Sequence, residues 1–276
     1  MTSEVRHILS LSGGKDSAAL AIYMRDRVPE MEYLFHDTHK ELDETYEYLE
    51  RLQAILGKEI HQSNSKRGFD HWMTVYKGMI PSNQRRWCTK NLKLKPFEKW
   101  IGDGPVVNYV GLRADEKRSG FISAKPNIKT VFPFREDGLV YEDIMRILEE
   151  SGLGLPKYTD WGRTRSGCFF CFYQQKIEWV RLKQKYPEKY EEAKAYEEAQ
   201  LKYAKHIEGG GKKFYWSGDE TLEELEQPER MKEIEKEWEE RKKRRKRKSN
   251  KLVQILTDVE FEDDPGREDG CLICQL

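Results

Sequence analysis

The residues with the clearest chemical potential form one short segment near the N-terminus. Its members are consecutive: Ser12, Gly13, Gly14, Lys15, Asp16 and Ser17. Adjacent glycines let a backbone turn sharply and expose its N–H groups to an anion, while the serine hydroxyls add donors and the lysine adds a positive charge. The four-residue spacer that separates the glycines of a Walker A sequence is missing. The segment predicts a phosphate-binding loop of another kind, with a solvent-exposed glycine turn as the alternative.

Cysteines are the second chemical feature. Four of the 5 cysteines form two Cys-x-x-Cys pairs, Cys168/Cys171 and Cys271/Cys274, and Cys88 stands alone. A Cys-x-x-Cys turn brings two sulfurs close enough for one metal ion or cluster, and the phenylalanines around the first pair would limit solvent access. Because disulfides are rare in a reducing cytosol, we expect metal, cluster or thiol chemistry.

Cys88 has a basic surrounding in the sequence, made by Arg85, Arg86, Lys90, Lys93 and Lys95. Positive charges lower the pKa of a thiol, so we expect a thiolate at Cys88. Cys88, Cys168 and Cys171 can supply three metal ligands, and a fourth must come from Cys271, Cys274 or another residue type. Thiolate ligation suits either tetrahedral Zn²⁺ or a [4Fe–4S] cluster, and the spacing alone does not decide between them. Buried structural cysteines without metal are the third possibility.

A phosphate loop needs a strand before it and a helix after it, and the hydropathy pattern predicts both. Residues 7–12 read as a strand and residues 18–24 as a helix. Further strands are expected at 32–36, 58–63 and 106–111, with a helix over 43–56. Strands that alternate with helices predict an α/β fold with a parallel sheet covered on both faces.

The pattern changes after residue 156, where strands give way to long charged helical segments over 174–205 and 220–248. We predict three regions: an α/β nucleotide-binding domain at 1–160, a cysteine-containing helical region with a basic end at 161–250, and an acidic tail with the second Cys-x-x-Cys pair at 251–276. A short strand is expected at 252–256.

The segment Ser-Gly-Gly-Lys-Asp-Ser resembles the PP-loop of the ATP pyrophosphatases, and the motif order resembles their phosphoadenosine-phosphosulfate (PAPS) reductase-like branch. Further blocks agree in order and spacing at 36–45, 86–93, 111–118 and 166–171, as in the subgroup that includes the DNA-phosphorothioation ATP pyrophosphatases. His39 stands where this branch usually has glycine in an Asp-Thr-Gly motif. The resemblance covers roughly the first 180 residues and implies a Rossmann-like, adenine nucleotide α-hydrolase-like fold with a helical C-terminal region.

The resemblance implies attack of an acceptor on the α-phosphate of ATP, with pyrophosphate leaving and an adenylated intermediate forming. Lys15, Asp16 and Asp37 become the catalytic candidates, because Lys15 can stabilise charge on the leaving phosphates and either aspartate can hold Mg²⁺. Arg113 and Arg118 are candidates for forked phosphate contacts. Ordinary ion pairs with neighbouring carboxylates are the alternative for both arginines.

Related thiolation and phosphorothioation enzymes carry iron and sulfur, so the resemblance favours a [4Fe–4S] cluster over zinc. It also implies a sulfur-donor protein, such as a cysteine desulfurase, and a nucleic acid, DNA or tRNA, as acceptor. The 49 basic and 49 acidic residues cancel, so any electrostatic attraction must be local. The eight consecutive cations at 241–248 could grip nucleic-acid phosphates, or could instead pair with the acidic segment before them.

Composition excludes several classes of protein. With 276 residues, 36% of them charged, and a mean hydropathy of -0.87, the chain is long enough for its own core and too polar for a membrane span of about 18 apolar residues. The first ten residues lack a signal-type apolar stretch, so we expect a cytoplasmic protein without membrane contact.

Two other functions remain open at this stage. A sulfonucleotide reductase would use the same loop for substrate phosphates and a C-terminal cysteine for attack on a sulfonate. The tail Asp-Gly-Cys-Leu-Ile-Cys at 269–274 does not reproduce the Glu-Cys-Gly-Leu-His ending of that family. The third hypothesis is a non-catalytic subunit that binds nucleotide and nucleic acid within a larger complex.

Overall fold

A five-stranded parallel sheet forms the centre of the molecule. The computed structural model describes residues 4–64, 66–117, 123, 125–205 and 214–248. The strand order is β3-β2-β1-β4-β5, and every neighbouring pair is parallel. The strands are β1 (Arg6–Leu11), β2 (Glu32–His36), β3 (Ile60–Ser63), β4 (Val106–Tyr109) and β5 (Ile128–Val131).

Helices follow the strands and then take over the C-terminal half. The first group is α1 (Lys15–Met24), α2 (Asp43–Leu56), α3 (Phe69–Val75), α4 (Trp87–Thr89), α5 (Lys95–Ile101), α6 (Pro133–Glu136) and α7 (Tyr141–Glu150). A π-helical turn (Lys90–Leu94) joins α4 to α5, and a 3₁₀ turn (Lys157–Trp161) follows α7. The second group is α8 (Lys176–Lys185), α9 (Pro187–Lys205), α10 (Leu222–Leu225) and α11 (Pro228–Lys248).

Both faces of the sheet are covered, as a parallel sheet requires. Leu9 and Leu11 of β1 pack with α1, α2 and α7 on one face. On the other face, Ile8 packs against Phe97 and Ile101 of α5. This arrangement confirms the predicted fold class, a Rossmann-like α/β sheet with a helical C-terminal region.

Most predicted elements are present, with differences in number and in bounds. Strand β2 and helix α2 have the predicted ends, whereas β5 was not predicted. The helical segment predicted over 174–205 divides into α8 and α9 at Pro187, because proline fits the first turn of a helix but not its interior. The strand predicted at 252–256 lies outside the described residues. No helix in the described part of the chain has the length and apolar character needed to cross a bilayer.

The C-terminal helices pack on the first half of the chain through two polar anchors. Glu44 at the start of α2 accepts hydrogen bonds from Tyr186 Oη at 2.5 Å and Trp161 Nε1 at 3.0 Å. Lys40, in the loop after β2, forms an ion pair with Glu192 of α9 at 2.6 Å. Aromatic residues of both halves share one core cluster. The boundary near residue 160 stays a prediction, and side chains from both of its sides pack together.

Candidate active site

The glycine-rich loop lies at the point where the strand order reverses. From β1 the chain runs outward to β2 and β3, and it later returns to β4 on the other side of β1. Ligands of open parallel α/β sheets bind in the crevice outside the carboxyl ends of the strands at such a point. Residues 12–14 and the loop that follows β4 therefore lie on opposite sides of one crevice.

Internal hydrogen bonds fix the conformation of the loop. Gly13 has a φ of +74°, and a Cβ there would lie 2.4 Å from Thr45 Cγ2, so only glycine fits. Ser12 Oγ accepts a hydrogen bond from Gly14 N at 3.3 Å, and Ser17 Oγ donates to Gly14 O at 3.1 Å. The two serine hydroxyls, which we predicted as phosphate donors, thus bond within the loop and hold its shape at the start of α1.

Two cations converge on Asp16. Lys15 Nζ lies 2.9 Å from one carboxylate oxygen, and Arg113 Nη1 lies 3.0 Å from the other. Burial by itself would raise the pKa of Asp16, but Lys15 and Arg113 hold it below its ordinary value. Both cations also lie near the ring of Tyr141, at 5.5 and 5.4 Å from its centroid. The result is a charged cluster beside the glycine loop.

Arg113 links the two sides of the crevice. Its side chain is 9% exposed and also forms ion pairs with Asp115 at 2.9 Å and Glu116 at 3.5 Å. The ion pairs that we considered as an alternative are therefore present, together with the bond to Asp16. Close packing supports the link, because a Cβ on Gly111 would lie 2.9 Å from Asp16 O. Arg118 lies outside the described residues.

The acid motif follows β2 at the same edge of the sheet. Asp37 Oδ1 accepts hydrogen bonds from His39 N at 2.7 Å and Tyr46 Oη at 2.8 Å. His39 has a φ of +64°, the left-handed conformation that the glycine of the related motif would adopt without strain. Its ring is accommodated by Gly68, where a Cβ would lie 2.5 Å from His39 Nδ1. The turn is thus preserved although the glycine is not.

A second acid, Glu41, lies beneath Asp37. It accepts hydrogen bonds from Thr38 Oγ1 at 2.8 Å and Thr38 N at 3.2 Å. Burial, and then the nearby Asp37 charge, raise the pKa of Glu41 to about 7. Thr38 Oγ1 also lies 3.0 Å from Cys168 Sγ, so the acid motif touches the first Cys-x-x-Cys turn.

The three described cysteines are free thiols that act on one another electrostatically. Burial raises the pKa of Cys168 well above its usual value, and Glu41, Cys171 and Cys88 contribute to this shift. Burial and the Cys171 thiol raise the pKa of Cys88 to about 11, so the thiolate that we expected from its basic neighbours is wrong. Within the described ranges, no three His, Cys, Asp or Glu side chains surround a single-ion position. Cys271 and Cys274 lie outside those ranges.

The number of cations that flank Cys88 in the sequence does not predict the pKa of its thiol. Arg85 reaches the ring of Phe214, with 5.5 Å between its guanidinium and the ring centroid, and Lys90 is exposed. Only Lys93 among these neighbours is identified as acting on the thiol: against the dominant effect of burial, it works to lower the pKa of both Cys88 and Glu41. Lys93, one of the five cations selected from the sequence, is thus the one that acts on the site, five residues beyond Cys88.

Comparison with known proteins adds family evidence to this geometry. Residues 6–134 match the model of the phosphoadenosine phosphosulfate reductase domain. Two uncharacterised proteins of Methanocaldococcus jannaschii are 27% and 25% identical over 226 and 190 residues. These matches cover 76% and 65% of this chain but only 45% and 44% of the relatives, so the chain spans less than half of their length.

The names of two other similar proteins state an activity. The tRNA-specific 2-thiouridylase MnmA of Pseudomonas fluorescens is 27% identical over 194 residues, which is 58% of this chain and 51% of that protein. Among solved structures, phosphoadenylyl-sulfate (PAPS) reductase from Candida auris in a phosphate complex gives a TM-score of 0.48 at 12% identity, covering 60% of this chain and 82% of that one.

The family match covers the same part of the chain as the parallel sheet. Residues 6–134 begin at the first residue of β1 and end just beyond β5, so the match covers the whole sheet and both loops of the crevice. On this agreement of sheet, loop and family model, residues 6–134 are similar to the phosphoadenosine phosphosulfate reductase domain, and the comparisons support the PP-loop ATP pyrophosphatase superfamily, in its PAPS reductase-like branch.

Proposed function

We propose that this protein is an ATP pyrophosphatase that adenylates an acceptor so that sulfur can be delivered to it. The observation that carries the proposal is the convergence of Lys15 and Arg113 on Asp16, at the start of α1 and beside the PP-loop. A helix N-terminus with a lysine and an arginine beside it is suited to a polyphosphate.

The chemistry follows from where charge develops. As the acceptor attacks the α-phosphate, the bond to the β-phosphate breaks and negative charge accumulates on the leaving pyrophosphate. Lys15 and the backbone N–H groups at the start of α1 would stabilise that charge. Asp16 would orient Lys15 and Arg113, because each of its carboxylate oxygens is bonded to one of these cations.

The two candidate Mg²⁺ ligands have different surroundings. Both oxygens of Asp16 already have cationic partners. Asp37 lies beside the carboxyl group of Glu41, and among the described residues its only ion-pair partner within 4.0 Å is His39 Nε2, at 3.9 Å. We therefore assign the ion to Asp37 rather than Asp16. Bound there with phosphate oxygens, Mg²⁺ would neutralise part of the polyphosphate charge.

The cysteines support a [4Fe–4S] cluster as the proposed cofactor, with zinc as the alternative. Cys88, Cys168 and Cys171 are near enough to influence one another electrostatically. The preference for a cluster over zinc comes from the resemblance to thiolation and phosphorothioation enzymes that carry iron and sulfur. A cluster would supply electron-transfer or sulfur chemistry, and Cys271 or Cys274 is available in the sequence as fourth ligand.

A nucleic acid, DNA or tRNA, is the proposed acceptor, and a cysteine desulfurase is the proposed kind of sulfur donor. Similarity to a tRNA-specific 2-thiouridylase and the eight cations at 241–248 support this choice. The chain spans less than half of the length of its first relatives, so these partners are part of the proposal.

The direct test is release of pyrophosphate from ATP by anaerobically purified protein, measured with and without added tRNA or duplex DNA. We expect one AMP for each pyrophosphate, as free AMP where water is the acceptor and as adenylated acceptor where nucleic acid is, with a rate that rises when the correct acceptor is added. Hydrolysis that gives phosphate and ADP would contradict attack at the α-phosphate.

Sulfonucleotide reduction is the second candidate, because the matching family model describes a PAPS reductase domain. It predicts sulfite from PAPS in the presence of a thiol reductant and no pyrophosphate from ATP. A third possibility, a non-catalytic nucleotide-binding subunit, predicts ATP binding with neither product. One assay series therefore separates the three.

A further inference from the structure

A buried arginine outside the predicted site residues organises the Cys168–Cys171 turn. Arg163 is 1% exposed, and its guanidinium donates hydrogen bonds to four backbone carbonyls. The acceptors are Cys168 O at 2.7 Å, Arg165 O at 2.9 Å, Gly167 O at 3.1 Å and Phe169 O at 3.4 Å. The planar fork of arginine can hold several acceptors in one geometry, which a lysine cannot do.

The charge of Arg163 is unusual for a buried group. Within the part of the chain that the structure describes, its polar contacts are these four carbonyls, and no carboxylate forms an ion pair with it. A buried charge is costly unless it is hydrogen-bonded, and here the carbonyl dipoles, together with the ring of Trp161 at 6.0 Å from the guanidinium, provide the compensation. The side chain therefore depends on the conformation of the turn, and the turn depends on the side chain.

The peptide that follows Cys168 is held from both ends. Its carbonyl accepts from Arg163, while its N–H, that of Phe169, donates to Lys40 O at 2.8 Å. Gln174 Nε2 donates to Phe169 O at 2.8 Å, and Cys171 N donates to Cys168 O at 3.0 Å. These bonds leave the turn between the two cysteines little freedom, and Cys168 Sγ is directed toward Thr38 Oγ1.

We infer that Arg163 is a positioning residue that presents the Cys168 and Cys171 thiols to a bound metal or cluster. The inference rests on the proposed function only in assigning a metal or cluster to these thiols. It adds the residue that sets their orientation, whose side-chain hydrogen bonds all lie within the turn at 165–169.

The first test compares iron and sulfide content and the visible absorption spectrum of the full chain after anaerobic purification. Arg163→Met removes the fork and the charge, and Arg163→Lys keeps the charge alone. Arg181→Met is the matched control, because Arg181 donates to Gly162 O at 2.7 Å just outside the turn. We expect at least a fivefold loss of bound iron in Arg163→Met, a smaller loss in Arg163→Lys and wild-type iron in the control.

ATP affinity and near-ultraviolet circular dichroism test for a fold defect. The ATP affinity of a folded variant should lie within about twofold of the wild-type value, and its spectrum should match the wild-type spectrum. If Arg163→Met fails this criterion, Arg163→Lys decides the question. Wild-type iron and an unaltered spectrum in the folded variant would overturn the inference.

The second readout is reconstitution of the metal-free protein with iron and sulfide, followed by the visible absorption of the cluster. We expect the amount of cluster formed to fall at least fivefold in Arg163→Met and to reach the wild-type amount in Arg181→Met. Equal reconstitution of the two variants would overturn the inference. Wild-type protein that forms no cluster would refute both the proposed cofactor and the inference, and pyrophosphate release would still test the PP-loop assignment separately.

Discussion

Lys15 and Asp16 are adjacent in the sequence but have different expected roles, because one would contact the leaving phosphates and the other holds two cations in place. We expect Lys15→Ala and Asp16→Ala each to lower the rate of pyrophosphate formation by about 100-fold or more, the usual effect of losing a group that stabilises transition-state charge. The rate is measured at saturating ATP. Lys157→Ala, which removes a surface lysine paired with Glu47, is the control and should keep the wild-type rate. Unchanged turnover in either loop variant would refute the PP-loop role.

Glu41 should make stability depend on pH. Its pKa is about 7 in the folded protein, against an ordinary value of 4.5. The folded state therefore holds the proton more tightly, so its stabilising effect is complete at low pH and is lost as the pH rises from about 4.5 to 7. In Mg²⁺-free buffer, we expect the free energy of unfolding to fall by up to about 3 kcal/mol over this range.

Denaturant unfolding at several pH values measures this effect. Glu41→Gln should remove the dependence, whereas Glu50→Gln, at an exposed position of α2, should keep it. Parallel pH curves for the wild type and Glu41→Gln would contradict the assignment.

His39 tests how a glycine position tolerates another residue. Because its φ is +64°, glycine fits there without strain and a β-branched residue does not. We expect His39→Gly to stay within about 1 kcal/mol of the wild type in unfolding free energy and His39→Val to lose about 1–3 kcal/mol. Equal stability of the two variants would show that the left-handed turn relaxes.

The position of a residue was easier to predict from the sequence than its environment. The types and order of Lys15, Asp16 and Asp37 predicted a loop and an acid motif, which the structure places at one edge of the sheet, and their chemical roles stay predictions. The pKa of Cys88 could not be read from its neighbours, because burial depends on distant aromatic residues that pack around it. Arg163 carried no signal, since its four acceptors are backbone atoms.

At the scale of elements, the contact between the loop after β4 and the start of α1 determines the width of the crevice. A methyl group on Gly111 would lie 2.9 Å from Asp16 O, and backbone cannot yield as a flexible side chain can. We expect Gly111→Ala to cost about 1–3 kcal/mol of unfolding free energy and to weaken ATP binding at least fivefold. Calorimetric titration and denaturant unfolding provide the two measurements.

Gly104→Ala is the control for this substitution, since a Cβ at Gly104 has no heavy atom within 4 Å. It should change neither quantity appreciably. Equal unfolding free energies and equal ATP affinities of the two alanine variants would show that the close approach at Gly111 affects neither stability nor ATP binding.

Element prediction succeeded where local pattern and tertiary position agree. The apolar residues of β2 and the helical periodicity of α2 gave the observed ends. Strand β5 was not predicted, because it is a short edge strand with Lys129 and Thr130 in its middle. Its pairing with β4 is a tertiary property that the local sequence does not contain. The order of the strands, with β1 between β2 and β4, also depends on packing that no local pattern contains.

At the scale of the whole molecule, a chain with zero formal charge must attract a polyanion locally, and the cations at 241–248 offer that attraction. If they contact nucleic acid, affinity should fall with salt at a log–log slope of about -0.9 per contact on duplex DNA or about -0.7 on single strands. Replacement of Arg244, Arg245, Lys246 and Arg247 by Gln should flatten the slope and weaken binding to all sequences alike.

Fluorescence anisotropy from low to high salt measures this slope, and ATP-dependent pyrophosphate release without nucleic acid should persist in the same variant. An unchanged slope and affinity would mean that these cations are only the solvated end of α11. The nucleic-acid acceptor would then depend on family similarity alone.

The anchors of the C-terminal helices have a consequence for inheritance. Lys40 and Glu44 lie in the first half of the chain, while their partners Glu192 and Tyr186 lie in the second. A genetic exchange with a diverged relative near residue 160 would keep each half intact yet separate both pairs. Lys40 would keep its ion pair with Asp70 at 2.8 Å, whereas the buried Glu44 would lose its hydrogen bond from Tyr186. We therefore expect the two halves of the chain to be inherited together. Otherwise both residues of each pair must be substituted together.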